Sequence, residues 1–117
     1  MSNFEHELII CSVNAGYGDI AVDTARKAGA RGGTVINARG AANLEAEKEF
    51  KITVQPEKEI LMIVIQPEIR DAVLHALYQT VGTATDAQGI IFSLPVDRAV
   101  GITDTPIPPA IEKNTEK

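Results

Sequence analysis

The side chains that usually carry catalysis or bind metal are scarce in this chain. It has two histidines, His6 and His75, and one cysteine, Cys11, in 117 residues. They fall at no metal-ligand spacing. No order of Ser, His and Asp, or of Cys and His, suggests a nucleophile with its base. Cys11 stands in the apolar run "ELIICSV" and reads as a small buried hydrophobe. His75 lies beside an apolar helix stripe and reads as partly exposed packing. The 16 acids show no pocket pattern that would mark a carboxylate dyad, so the chain reads as a non-enzyme.

Two glycine-bearing stretches could instead hold an anion. "GYGDIA" (16–21) matches G-x-G-x-x-A, follows a strand-like run and opens a helix-like one. A dinucleotide site would also need an acid at the end of the next strand, where this chain has Asn37. The stretch therefore reads as a tight turn in which Gly16 and Gly18 supply permissive backbone angles. The second stretch is "GARGGTVINARGAANLEAEKEF" (29–50), with three glycines in its first five residues. A helix stop at Gly29, a turn at Gly32 and Gly33, and a flexible exit at Gly40 explain most of its glycines. Arg39 and the exposed amides at the mouth of a long loop are what remains for function.

The elements that must position these residues follow from hydrophobic periodicity. "ELIICSV" (7–13) is a buried strand. Asp19 is placed to cap a helix through "IAVDTARKA", with Arg26 and Lys27 in its last turn. "GGTVINA" (32–38) is a second strand. "EFKITV" alternates, with Phe50, Ile52 and Val54 on one face, until Pro56 interrupts it. "EILMIVI" (59–65) is another central strand. Pro67 opens a helix whose stripe is Ile69, Ala72, Val73, Ala76 and Leu77, ended by Gly82. "GIIFSLPV" (89–96) is the last strand. The order predicts an α+β domain of the ferredoxin-like split βαβ type (βαββαβ), an antiparallel sheet with two helices on one face. That domain spans residues 1–102; 103–117 is a proline-containing tail, expected to be mobile.

Composition limits the partners. A net charge of −5 argues against nucleic acid. No basic n-region with a long apolar segment opens the chain, and no apolar run nears the ~20 residues needed to span a bilayer. The expectation is a cytoplasmic protein without direct membrane insertion. The long strands show little polar alternation, so the sheet face away from the helices also needs cover; self-association would supply it.

Three blocks, "AGARGGTVINARGAA" (28–42), "QPEKEILMIVI" (55–65) and "GIIFSLPVDRAVGI" (89–102), give the chain a resemblance to the PII signal-transduction proteins, as a PII-like branch. The resemblance runs from Glu7 to Ile102. It implies a homotrimeric, non-enzymatic regulator that holds an adenine nucleotide in clefts between subunits. It also implies a mobile T-loop that signals to a protein target, an enzyme or transporter; nitrogen regulation enters only as the family's association. Carried over, Thr34 takes the strand position that contacts the base. Arg39 and Gly40 form the T-loop root, with Arg39 meeting an anion beside the amides of Gly33 and Gly40. Gln88 and Gly89 lie in "TATDAQG", the place of the phosphate-binding B-loop, and Arg98 falls in the last strand. Leu44, Glu45, Glu47 and Glu49 belong to a shortened loop that would face a basic partner surface.

The departures from the family pattern are chemical. The B-loop's Gly-Asp-Gly-Lys is here Ala87, Gln88, Gly89 and Ile90, and two arginines beyond the last strand are replaced by Gly101 and Thr103. Each lost cation removes a charge-assisted contact of about 1.5–3 kcal/mol, so ATP binding in the family's manner is expected to be much weakened. The shortened loop has no Tyr or Ser, which excludes uridylylation or phosphorylation at such residues there. Two alternatives are a ligand-independent trimeric scaffold and a CutA-like metal-tolerance trimer, the latter disfavoured by the scarcity of His and Cys.

Overall fold

A computed structural model of the chain describes residues 4–41 and 57–101. The expected strand at 49–54, the loop residues Leu44, Glu45, Glu47 and Glu49, and the tail from 103 lie outside the described residues.

Four strands and two helices follow in the order expected: β1 (His6–Asn14), α1 (Gly18–Lys27), β2 (Thr34–Arg39), β3 (Glu57–Ile65), α2 (Arg70–Val81) and β4 (Ile90–Val96). A single 3₁₀ turn over Pro67–Ile69 leads into α2, with proline at the first position, where its missing N–H costs nothing. The sheet order is β2-β3-β1-β4 and every neighbouring pair is antiparallel, which is the ferredoxin-like arrangement.

Residues of β1 alternate between two faces. Ile9, Cys11 and Val13 point to the helix layer and are fully buried with Leu61 and Ile63 of β3 and Val73, Leu77 and Val81 of α2. Burying such a side chain contributes about 1.5–3 kcal/mol, so these positions dominate the stability of the fold. The working stripe of α2 is thus Val73, Leu77 and Val81. Ala72 of the expected stripe is exposed, because the larger residues bring their own side of the helix to the sheet.

The opposite sheet face carries no element of this chain among the described residues. Ile36, Val64, Ile90, Phe92 and Leu94 share it by register with Leu8, Ile10, Ile60 and Met62, and the first five are 41–56% exposed. β4 stops at Val96 because its partner β1 begins at His6, and the ladder has nothing further to pair with. Arg98 therefore lies beyond the strand and not within it, contrary to the expectation from sequence. Pro95 is tolerated because β4 is an edge strand.

The helix ends are built as follows. Gly29 at φ +117° follows α1; its N–H bonds the Arg26 carbonyl at 3.0 Å, and the Ala30 N–H bonds that of Ala25 at 3.0 Å. These are the two bonds of a Schellman stop, and the left-handed residue is the expected glycine. The start of α1 differs from expectation. Asp19 makes no capping bond; Oε1 of Glu59, on β3, accepts the Gly16 N–H at 2.8 Å and the Gly18 N–H at 2.9 Å. A carboxylate here satisfies otherwise unpaired amides and faces the positive end of the helix.

Candidate effector site at the loop end of the sheet

β1 ends, β3 begins and β4 begins at the same end of the sheet. β2 reaches it as well, since Arg39 pairs with Glu57 and Ala38 with Lys58. The chain between Ala41 and Glu57 therefore leaves and returns here, and so does the 82–89 loop that precedes β4.

Asn14 ties these segments together. Its backbone N–H donates to the Ala87 carbonyl at 2.9 Å, and its buried side chain donates through Nδ2 to the Asp86 carbonyl at 3.0 Å. Nδ2 also reaches Gln88 Oε1 at 3.5 Å, a long contact. Lys58 Nζ donates to Asn14 Oδ1 at 2.7 Å. One asparagine thus joins the start of β3 to the 82–89 loop. Neither Asn14 nor Lys58 was singled out by the sequence; the only signal was an Asn ending a strand before a glycine turn, where such residues bond to nearby backbone.

The 82–89 loop has its own framework. Thr85 Oγ1 donates to the Gly82 carbonyl at 2.8 Å and accepts the Ala87 N–H at 3.2 Å, and the Gln88 N–H donates to the Thr85 carbonyl at 3.0 Å. Gln88 sits at φ +49°, a left-handed position unusual for a side chain other than Gly or Asn. The Gly89 N–H bonds the Val81 carbonyl at 2.7 Å, and a Cβ on Gly89 would strike that same carbonyl. Gly89 is required there by close backbone approach.

Arg39, Gly40, Gln88 and Gly89 are thus at one end of the protomer, and Lys58 joins them. The other expected residues are elsewhere. Thr34 pairs with Met62, five residues before Arg39, which is roughly 17 Å along an extended strand. Gly33 adjoins it, and a Cβ there would lie 2.7 Å from Ile63 Cγ1 and 2.9 Å from the Met62 carbonyl, so its glycine identity has a packing cause. Arg98 follows the end of β4 that pairs with His6, at the opposite end of the sheet. No single protomer brings all seven residues to one ligand.

The opposite end has a shallow depression lined by His6, Gly29, Arg31, Val64, Gln66 and Ile69. Nearby, Arg70 Nη1 lies 3.5 Å from Oε1 of Glu7, a carboxylate almost wholly buried on β1. The Arg70 pKa is raised by its hydrogen bond to Asp71 and then by Glu7. Burial pushes the Cys11 thiol up to about 11, which leaves it protonated and unreactive at neutral pH. Among the described residues, no group of three or more His, Cys, Asp and Glu is placed to hold a metal ion. None of the described helices is long and apolar enough to cross a membrane.

Comparison with known proteins completes the assignment. No curated protein matches the chain. Among solved structures it is similar to Arabidopsis thaliana PII bound to citrate, at 21% identity and a TM-score of 0.64, over 86% of this chain and 83% of that one. It is similar to a functionally unknown protein from Pediococcus pentosaceus, at 17% identity and a TM-score of 0.62, over 85% of this chain and 99% of that one. A putative PII-like signaling protein from Thermus thermophilus matches at 17% identity and a TM-score of 0.61, covering 82% of this chain and 90% of that one. These likenesses fix the fold. The family model described as nitrogen regulatory protein P-II matches residues 8–105, and the chain belongs to that family.

Proposed function

We propose that the protein is a non-enzymatic regulator that binds a small anionic or adenine-nucleotide effector in clefts between the subunits of a homotrimer. It passes the signal to a protein target through the loop between β2 and β3. The observation that carries this reading is the convergence of Arg39, Gly40, Gln88 and Gly89 at the end of the sheet where that loop is rooted. An effector held there touches the root of the loop directly. It also couples to β3 through Gln88, Asn14 and Lys58. Family membership supports a regulatory role.

Two features support self-association, and family membership supports three copies. The open sheet face exposes apolar side chains that a monomer would leave in water. The remaining effector residues, Gly33, Thr34 and Arg98, can reach an Arg39-centred cleft only from a neighbouring copy. A thermal-shift panel of ATP, ADP, AMP, cyclic dinucleotides and 2-oxoglutarate tests the proposal. A stabilising hit that Arg39→Ala abolishes is expected. No shift with any of them, beside an Arg39→Ala variant that behaves as wild type, refutes it.

A ligand-independent scaffold is the second reading. It is favoured by the acidic loop residues Glu45, Glu47 and Glu49, which could meet a basic surface without any effector. Capture of one partner that is indifferent to every metabolite would select it.

A further inference from the structure

Among the described residues, one position other than glycine stands in the left-handed region: Gln88, at φ +49°. We propose that the peptide plane between Ala87 and Gln88 is a two-state switch whose balance Lys58 sets through Asn14. The inference rests on the effector-binding reading above only for what the switch serves.

The plane lies between two fixed points. Ala87 is fully buried, and the Gly89 N–H bonds the Val81 carbonyl at 2.7 Å. Between them the Ala87 carbonyl accepts the Asn14 N–H at 2.9 Å, and the Gln88 N–H donates to the Thr85 carbonyl at 3.0 Å. A side chain at positive φ costs the backbone free energy that a glycine would not. Turning the plane over takes Gln88 to negative φ and removes that cost. It also gives up the two backbone bonds, so the turned plane is the minor state. Strain and bonds of this kind are comparable in size, which keeps such a minor state populated.

Asn14 weights the balance. Its backbone N–H holds Ala87, while Nδ2 donates to the Asp86 carbonyl at 3.0 Å and reaches Gln88 Oε1 at 3.5 Å. One residue thus touches three successive residues of the loop. An ammonium can only donate, so Lys58 Nζ, 2.7 Å from Asn14 Oδ1, excludes the flipped amide and keeps Nδ2 turned to the loop. Its charge also polarises the amide and strengthens the bonds that Nδ2 donates. Lys58 is therefore a positioning residue. Drawing it away at the start of β3 loosens Asp86 and Gln88 and lets the plane turn. By linkage, a molecule bound to either state of the plane biases the start of β3 in return.

The test is residue-resolved amide exchange by NMR on the full chain, with no effector added. The Gln88 and Asn14 N–H groups are bonded across this plane, whereas the Gly89 N–H bonds Val81 and serves as the control. In Lys58→Met, exchange of the first two is expected to rise roughly fivefold while Gly89 stays unchanged. Lys58→Gln, which keeps a donor without the charge, should fall between. Asn14→Asp keeps an acceptor for Lys58 but loses both Nδ2 donors, so Gln88 should exchange at least as fast as in Lys58→Met. Gln88→Gly removes the strain and should slow Asn14 exchange roughly fivefold. In an Asn14→Ala protein, Lys58→Met should add nothing at Gln88.

Three amides that respond together to Lys58→Met, or none that responds, would overturn the relay, as would additive Lys58 and Asn14 effects. Asn14 exchange unchanged in Gln88→Gly would overturn the switch. No effector enters the measurement, so failure here leaves the effector reading standing, and a thermal-shift panel without a hit leaves the switch standing.

Discussion

Lys58 and Asn14 are joined by a 2.7 Å hydrogen bond from Nζ to Oδ1, and through it the start of β3 is fastened to the loop that precedes β4. Asn14 is 5% exposed and its amide also serves the Asp86 carbonyl. Removing its side chain therefore leaves a polar group short of a partner at the junction of three segments. Asn14→Ala is expected to destabilise the fold by about 1–3 kcal/mol, read from the urea midpoint. Amide exchange should also accelerate over residues 82–89. Lys58→Met, which removes only a partly exposed donor, should cost less than about 1.5 kcal/mol.

The carboxylate of Glu59 acts as the N-terminal cap of α1 from a different element. Glu59→Ala is expected to cost about 2 kcal/mol and Glu59→Gln about half of that, since the amide oxygen can still accept both N–H groups but has lost its charge. Thermal unfolding of the two variants checks the order. A Glu59→Ala protein as stable as wild type would show that the bonds contribute nothing.

The α1–β2 connection owes its shape to two glycines with different needs. Gly29→Ala forces a side chain into φ +117° and should cost about 1–2 kcal/mol. Gly33→Ala meets Ile63, Leu61 and the Met62 carbonyl within 3 Å. Because the obstacle includes backbone, β2 must shift, and the loss should exceed that of Gly29→Ala. Denaturation midpoints rank the two.

Cys11 gives a pH signature. Its thiol is raised from the ordinary 9.0 to about 11 by burial alone. Below pH 9 the folded and unfolded chains bind the same proton, and this group adds no pH dependence. Between 9 and 11 the unfolded chain releases the proton while the folded one retains it, so stability falls by up to about 2–3 kcal/mol. Cys11→Val lacks this loss. The wild-type urea midpoint should therefore fall relative to that of Cys11→Val between pH 8 and pH 10.5; curves that stay parallel contradict the assignment.

Much of the architecture was legible because it rests on periodicity. Runs such as "ELIICSV" and "EILMIVI", the stop at Gly29 and the proline opening α2 are local signals. What was not legible depends on partners far along the chain. The Glu59 cap acts across 41 residues and the Asn14–Asp86 bond across 72, and neither spacing leaves a pattern in sequence. Asp19 was the natural local cap and was displaced by a carboxylate that the sheet delivers closer. Gly18 looked like a conformational glycine; its backbone is ordinary, and it is small because a Cβ would lie 3.0 Å from Glu59 Oε1 and Val35 Cγ1. For the site, residue types were readable and their grouping was not, since Arg98 and Thr34 part from Arg39 only when strand ends and register are known.

The proposed assembly through the open face of the sheet should be sensitive to one position. Phe92 lies in the middle of that face, 48% exposed and opposite Ile10. Phe92→Glu places a charge where neighbouring copies would meet and should dissociate the assembly without unfolding the protomer.

The most direct test of the central claim, a regulator whose effector clefts lie between copies, is the mass of the wild-type protein in solution by light scattering. The account predicts three times the 12.5 kDa chain mass, falling to one chain mass in Phe92→Glu. A wild-type mass of one chain would contradict it, because Gly33, Thr34 and Arg98 would then have no cleft to complete.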